Sequence, residues 1–495
     1  MKNRVIIIGA GPAGLTVGYL LTKAGWQVSI IEADPTYVGG ISKTVRKNGF
    51  LFDIGGHRFF SKSPEVNALW RELLPNDLLE RPRSSRIYYR GKLFLYPLRA
   101  LDALRKLGVT EAMLCVLSYY WAKLNPIKNP RTFSDWVSNQ FGKRLFNIFF
   151  KTYTEKVWGM KCEEISADWA AQRIQGLSLA KAILTSLLPA RKSGGSSEGL
   201  VKTLINSFLY PRKGPGMMWE AAAEKIKAQG GDILMASTPK SVEYDPTDKI
   251  WRVSVQRGEI GTMELFGNHL ISSVAIKDLT ALLQPKLPPE DQAASVALKH
   301  RDFMCVTVML KNFTGFDDNW IYIHDPEVKV GRIQNFKSWS PEMVPGPEFD
   351  CLGLEYFCFE SDGLWNCSDA ELSALAIEEL KKLNLLGSAQ IVDTCVVRQK
   401  KAYPIYDEDY QVKLDQIRKT LDKVYPTLHL VGRNGMHRYN NQDHAMMTAM
   451  LTVKNILAGE KKFDVWQVNQ DAEYLESSSE NEARTDVREV PKKAA

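Results

Sequence analysis

The run Val5 to Ile8 is wholly apolar, as expected of a strand buried on both faces. It leads without a break into G-A-G-P-A-G, with glycines at 9, 11 and 14. A helical pattern follows through Leu15, Tyr19, Leu20 and Ala24 and stops at Gly25. A second apolar strand, Val28 to Ile31, then closes on Glu32. Strand, glycine turn, helix, strand and acid in this order form the dinucleotide-binding βαβ fingerprint in its required context. In that fingerprint Gly9 permits the tight turn, Gly11 lets backbone approach a pyrophosphate, and Gly14, after the small Ala13, lets helix pack on strand. The helix N-terminus faces the phosphates, and Glu32 can accept bonds from the adenosine ribose hydroxyls.

The fingerprint alone does not separate FAD from NAD, so the following residues matter. Gly39 and Gly40 come soon after Glu32, and Phe50, Phe52 and Asp53 lead into Gly55-Gly56-His57. Doubled glycines after the second strand bring backbone close to another phosphate or a ribityl chain; a plain turn is the simpler reading of Gly39-Gly40 alone. A late segment has the same character. A strand at Leu428 to Val431 enters Gly432-Arg433-Asn434-Gly435-Met436-His437-Arg438-Tyr439, and a long amphipathic helix begins near Asp443, with Asp443 or Asn441 as its N-cap.

These segments together resemble the FAD-binding superfamily that contains amine oxidases, protoporphyrinogen oxidases and UDP-galactopyranose mutases. Gly432, Arg433, Gly435, Tyr439 and Asp443 fall on the mutase pattern G-R-x-G-x-Y-x-Y-x-x-M-D, with His437 and Gln442 departing from it. Gly55 to Phe60 is similar to the mutase G-P-H-x-F-H stretch, and Tyr153 to Gly159, with Arg173 downstream, to Y-T-x-K-Q-W-G. Pro211 to Gly231, a P-x-x-G turn, a helix with Trp219 and then Gly230-Gly231, looks more like the protoporphyrinogen oxidase branch.

The resemblance implies an α/β fold: a Rossmann-like FAD-binding domain of the GR2 type, with an inserted helical subdomain and an antiparallel-sheet substrate domain. The expected divisions are 1–80, 206–275 and 405–465 for the three parts of the FAD-binding domain. Residues 81–205 would be a mainly helical insertion, 276–404 the substrate-side sheet and 466–495 a disordered tail. Strands are expected at Met304–Leu310, Trp320–His324, Arg332–Trp339 and Leu352–Phe359. The implied cofactor contacts are Gly9, Gly11, Ala13, Gly14, Glu32, Gly39, Gly40, Gly56, His57, Val242, Gly432, Arg433 and Asp443. Arg433 would lie near the pyrophosphate, and a helix starting beside the ring would favour anionic reduced flavin.

The implied activity is that of a flavoenzyme in which reduced flavin N5 acts on a nucleotide-sugar and ring forms interconvert. The alternative is an FAD-dependent oxidase or dehydrogenase acting on a small molecule. His57, Arg332, Arg398 and Tyr439 are the candidate catalytic residues. Arginines suit a diphosphate because the planar fork offers two donors to paired oxygens. No metal spacing is present among the histidines.

Composition bounds the partners. The net charge of +7 on 495 residues is too small for a nucleic-acid-binding chain. It equals the excess in residues 81–106, where Arg81, Arg83, Arg86, Arg90, Lys92, Arg99, Arg105 and Lys106 meet only Asp102. That segment reads as a diphosphate wall, a peripheral membrane face or a solvated basic face. Seven scattered cysteines without C-x-x-C fit a reducing cytosol. The first apolar run is too short for a secretory leader, and the apolar helix Ala112 to Trp121 is about half of the ~20 residues a spanning helix needs. Residues 191–198 read as a loop, and the oligomeric state is left open.

Overall fold

A computed structural model describes residues 3–469 apart from 97, 99, 166, 168–206 and 408. Arg99, Arg173, the 191–198 loop and the tail from 470 lie outside the described residues.

The fingerprint strands sit in the middle of a five-stranded parallel sheet. Its order is β20 (Leu428–Leu430), β13 (His269–Ser272), β1 (Arg4–Ile8), β2 (Gln27–Ile31) and β9 (Asp232–Leu234). Strand side chains alternate between faces, so Val5, Ile7 and Ile30 pack on one side and Ile6, Ile8 and Ile31 on the other. The first side is covered by α1 (Pro12–Lys23), α2 (Pro64–Leu73), α8 (Gly216–Ala228) and α14 (Gln442–Ala458). The second is covered by a four-stranded sheet of β12 (Gly261–Gly267), β11 (Ile250–Arg257), β10 (Ser237–Asp245) and β14 (Leu283–Gln284), with α9 (Ile276–Leu282), α10 (Pro289–Val296) and α13 (Tyr410–Val424) behind it. Both faces buried explains why these strands read as unbroken apolar runs; each such side chain contributes about 1.5–3 kcal/mol.

Two short pairs, β3 (Thr44–Lys47) with β4 (Phe50–Asp53) and β5 (Leu78–Pro82) with β8 (Ser207–Pro211), link this layer to a seven-stranded sheet. That sheet runs β19 (Gln390–Pro404), β15 (His300–Lys311), β18 (Phe349–Cys358), β17 (Arg332–Asn335), β16 (Trp320–Ile323), β6 (Ser85–Tyr89) and β7 (Lys92–Leu95). Its pairs are antiparallel except β16 with β6. Along β15, Phe303 and Cys305 face the parallel-sheet layer, while Met304 and Val306 face α12 (Asp369–Lys382). Helices α3 (Ala100–Leu107), α4 (Val109–Leu124), α5 (Phe133–Phe141), α6 (Lys143–Phe146) and α7 (Thr152–Trp158) form the helical lobe.

The expected Rossmann-like layer and antiparallel sheet are thus both present. Several expected boundaries are corrected. Residues 85–95 are not part of a helical insertion but form β6 and β7 of the seven-stranded sheet, and 276–296 form α9 and α10 against the parallel-sheet layer rather than part of the substrate-side sheet. The strand at Arg332 ends at Asn335, whose side chain accepts from Lys337 N–H at 3.1 Å and starts α11 (Phe336–Trp339). The tail does not begin at 466: Trp466 and Val468 are buried, and the Arg418 guanidinium lies 3.8 Å over the Trp466 ring.

Candidate cofactor and substrate site

The three fingerprint glycines are required for three different reasons. Gly9 has φ +101°, which a side chain would strain, and its N–H donates to Ile31 O at 2.8 Å. At Gly14 a Cβ would come within 1.9 Å of Gly9 O, so only glycine lets α1 pack on the turn. Gly11 has an ordinary φ of −79°, and a Cβ there would meet nothing within 4 Å. Neither backbone nor packing demands glycine at 11; what its missing side chain clears is the mouth of the α1 N-terminus, where N–H donors converge.

The other cofactor candidates surround this mouth. Gly39 N–H donates to Ala10 O at 2.8 Å, and a Cβ on Gly40 would lie 3.4 Å from Gly11 Cα. Glu32 accepts from Ala10 N–H at 2.7 Å and Asp34 N–H at 2.8 Å, and burial lifts its carboxyl above the usual range. Gly432, at φ +77°, seats the C-terminal segment on α1, because a Cβ there would come 3.0 Å from the buried Ala13 Cβ. Asn441, not Asp443, precedes α14; its N–H donates to His444 Nδ1 at 3.2 Å, and Asp443 is buried in the first turn. Val242 packs its side chain into the core below the parallel sheet.

These residues fit FAD. An open helix N-terminus and the Glu32 carboxylate suit a dinucleotide. Among the described residues, the buried polar atoms without a hydrogen-bond partner include Ser42 Oγ beyond Gly40, His57 Nδ1 and Gln442 Nε2. Gln442 is tied back to the glycine loop, since its Oε1 accepts from Trp219 Nε1 at 3.0 Å and a Cβ on Gly39 would meet Trp219 at 3.1 Å.

Strand parity decides which candidate arginine reaches this layer. Arg332 pairs with Glu355, and Glu355 with Cys305, whose side chain faces the parallel-sheet layer. The Arg332 guanidinium bonds the fully buried Glu355 carboxylate at 2.6 and 2.8 Å. Burial works against its charge, but Glu355, Tyr153 and Tyr403 more than offset it and hold its pKa above the ordinary value. A Cβ on Gly55 would lie 3.5 Å from His57 and 3.9 Å from Arg332. Burial, then Arg433 and Arg332, push the His57 imidazole down to about 3, so it is neutral at pH 7.

Arg433 completes the group from the C-terminal segment. It donates to Asn440 O and Ala402 O, both at 3.0 Å, and lies 5.3 and 4.9 Å over the rings of Tyr403 and Tyr439. Those two rings stack at 5.5 Å. The structure therefore brings His57, Arg332, Arg433 and Tyr439 together. It does not bring Arg398. Arg398 pairs with Met304, which faces α12, and its guanidinium bonds Asp369, Trp365 O and Cys367 O on that outer side.

Sequence reasoning missed Glu355, although an acid inside the apolar strand C-L-G-L-E-Y-F-C signals a buried charge needing a partner. It also missed His324, which stacks on Tyr153 at 5.0 Å and 5°. The basic segment is largely spent on structure: Arg81 bonds Ser338 O, Arg86 pairs with Asp318, Lys106 with Asp102, and Arg83 lies over Tyr96 and Trp320.

Residues 7–73 match the family model of an NAD(P)-binding Rossmann-like domain. The chain is 22% identical to protoporphyrinogen oxidase 2 of Arabidopsis thaliana over 88% of its own length and 90% of that protein. It is 29% identical to dTDP-fucopyranose mutase of Escherichia coli, over 34% of this chain and 44% of that protein. The crystal structure of reduced UDP-galactopyranose mutase superposes with a TM-score of 0.79 at 20% identity, covering 92% of this chain and 96% of that one. The relatives are enzymes, mutases and oxidases by name, and the fold is shared with both.

Proposed function

We propose that the chain is an FAD-dependent enzyme acting on a nucleotide-sugar, with chemistry like that of UDP-galactopyranose mutase. One observation carries this reading: the side chains gathered beside Gly55-Gly56 are of the kinds that bind anions. They are two guanidiniums, the phenols Tyr153, Tyr403 and Tyr439, and a neutral imidazole. The carboxylate among them, Glu355, is tied to Arg332 and Gln334. Burial holds Tyr153 and Tyr403 well above the usual phenol range, so both stay protonated and act as donors. Such a set binds and orients a diphosphate and excludes water. Reduced flavin, when bound, would supply the nucleophile towards the sugar. The FAD would be held by the glycine loop, Glu32, Gly39-Gly40 and the α14 N-terminus.

The test is anaerobic photoreduction followed by UDP-galactopyranose. Formation of a ring isomer without net redox change is expected. No isomer, together with substrate-driven bleaching of oxidised flavin, supports the second reading, an FAD-dependent oxidase. The match to protoporphyrinogen oxidase across nearly the whole chain favours that alternative.

The two arginines give a sharper comparison. Arg332→Lys keeps a cation for Glu355 but loses the fork, and is expected to lower kcat/KM by about 100-fold, some 2.7 kcal/mol. Arg398→Ala, on the opposite face, is expected to change it by less than about twofold, since its carboxylate partner Asp369 is largely exposed. Steady-state kinetics of the two variants side by side decide it.

A further inference from the structure

The apolar helix α4 presents an apolar stripe on its outer side. Its inner side packs Cys115 and Tyr119 into the helical lobe. Its outer side carries Val109, Leu117, Tyr120, Trp121 and Leu124, each 61–78% exposed, with Met113 beside them. Spacings of three and four place them on one stripe. A helix apolar all round is normally covered. Beside it runs an open groove of about 640 Å³, lined by Leu114, Leu117, Trp121 and Leu124 and edged by Lys143 and Arg144.

Charge selects the occupant. Residues 105–151 hold eight Lys and Arg against Glu111 and Asp135. Of these, Lys143 and Arg144 edge the groove, with Arg144 paired to Glu111, and Arg105, Lys123, Lys128 and Arg131 are exposed elsewhere on α3, α4 and the segment that follows it. An apolar stripe with Trp and Tyr inside a cationic rim is the pattern of a helix lying in a lipid headgroup layer. No described helix is long and apolar enough to cross a membrane.

We propose that α4 and its groove form a docking face for an anionic lipid bilayer. The groove takes acyl chain, and the basic rim takes headgroup phosphate.

The test is co-sedimentation of the full chain with phosphatidylcholine vesicles containing about 30% phosphatidylglycerol, against vesicles of phosphatidylcholine alone. Binding to the anionic vesicles is expected, with at least tenfold weaker binding in about 0.5 M salt. The double variant Leu117→Glu, Trp121→Glu is expected to bind at least tenfold less tightly, with an unchanged far-ultraviolet dichroism spectrum. If that variant does not fold, Lys123→Glu, Lys143→Glu is expected to weaken binding at least fivefold. Absence of vesicle binding overturns the proposal. So does binding that both variants leave intact. Self-association that Leu117→Glu abolishes, without vesicle binding, assigns the face to a second copy and also overturns it.

Discussion

Gly11→Val is expected to leave the unliganded protein within about 0.5 kcal/mol of its parent stability while weakening flavin binding at least 100-fold, some 2.7 kcal/mol. The φ of −79° suits valine, and a Cβ at this position meets nothing within 4 Å, so the folded chain has no reason to object. The side chain would instead fill the mouth of the α1 N-terminus, where phosphate must approach the backbone. Gly14→Ala makes the contrast. Its Cβ would overlap Gly9 O at 1.9 Å, backbone that cannot move without breaking the turn. It is expected to cost at least about 3 kcal/mol of stability, with flavin lost as a consequence. Urea unfolding of the unliganded proteins and flavin absorbance after reconstitution separate the two. Equal destabilisation by both substitutions, or retained flavin in Gly11→Val, would sink the assignment of this turn.

Acid is expected to unfold the protein steeply. Burial pushes His57, His300, His324 and His429 down to about 3 and His437 to about 4. An unfolded histidine titrates near 6.5. Above that pH both states are neutral and these groups leave stability unchanged. Below it the unfolded chain takes up protons that the folded chain refuses, so stability falls as pH drops from about 6.5 towards 3. Asp53 works the other way: burial, against hydrogen bonds from Tyr210 and Thr44, lifts its carboxyl to about 7, so the folded state holds an extra proton below that. Glu32, also lifted by burial, acts in the same sense, so the five imidazoles outweigh two carboxyls and about three to four protons remain, or about 4–5 kcal/mol per pH unit near pH 5. That is enough to exhaust an ordinary stability within two units. Denaturant midpoints at pH 7, 6 and 5 check this; a midpoint unchanged over that range contradicts it.

How much of this was legible in the sequence depends on the range of the forces involved. The Rossmann-like layer is legible directly. Strand period, the glycine turn, the helix and the acid after β2 are each fixed by neighbours within a few residues, and Gly9 and Gly14 answer to clashes inside one βαβ unit. The late segment was legible for the same reason, since Gly432 and the start of α14 are local turn and capping chemistry. The charge of residues 81–106 was read correctly as a count but not as a location. Asp318, Ser338 and Trp320, which engage Arg86, Arg81 and Arg83, lie far along the chain.

The substrate side was decided only by tertiary structure. Arg332 and Arg398 are indistinguishable as sequence, each a lone arginine near an apolar strand. Register separates them: a side chain's face alternates with every residue, and pairing through β15 and β18 sends Arg332 to the parallel-sheet layer and Arg398 to α12. His57 carries no local mark of its environment either. Its neutrality follows from burial beside Arg433 and Arg332, which reach it from the C-terminal segment and the sheet. Sequence by itself determined the glycine turn, the helix that follows it and the acid after β2, because that geometry is local. Which charges gather beside Gly55-Gly56 was decided by long-range strand register and burial, which no window of the chain contains.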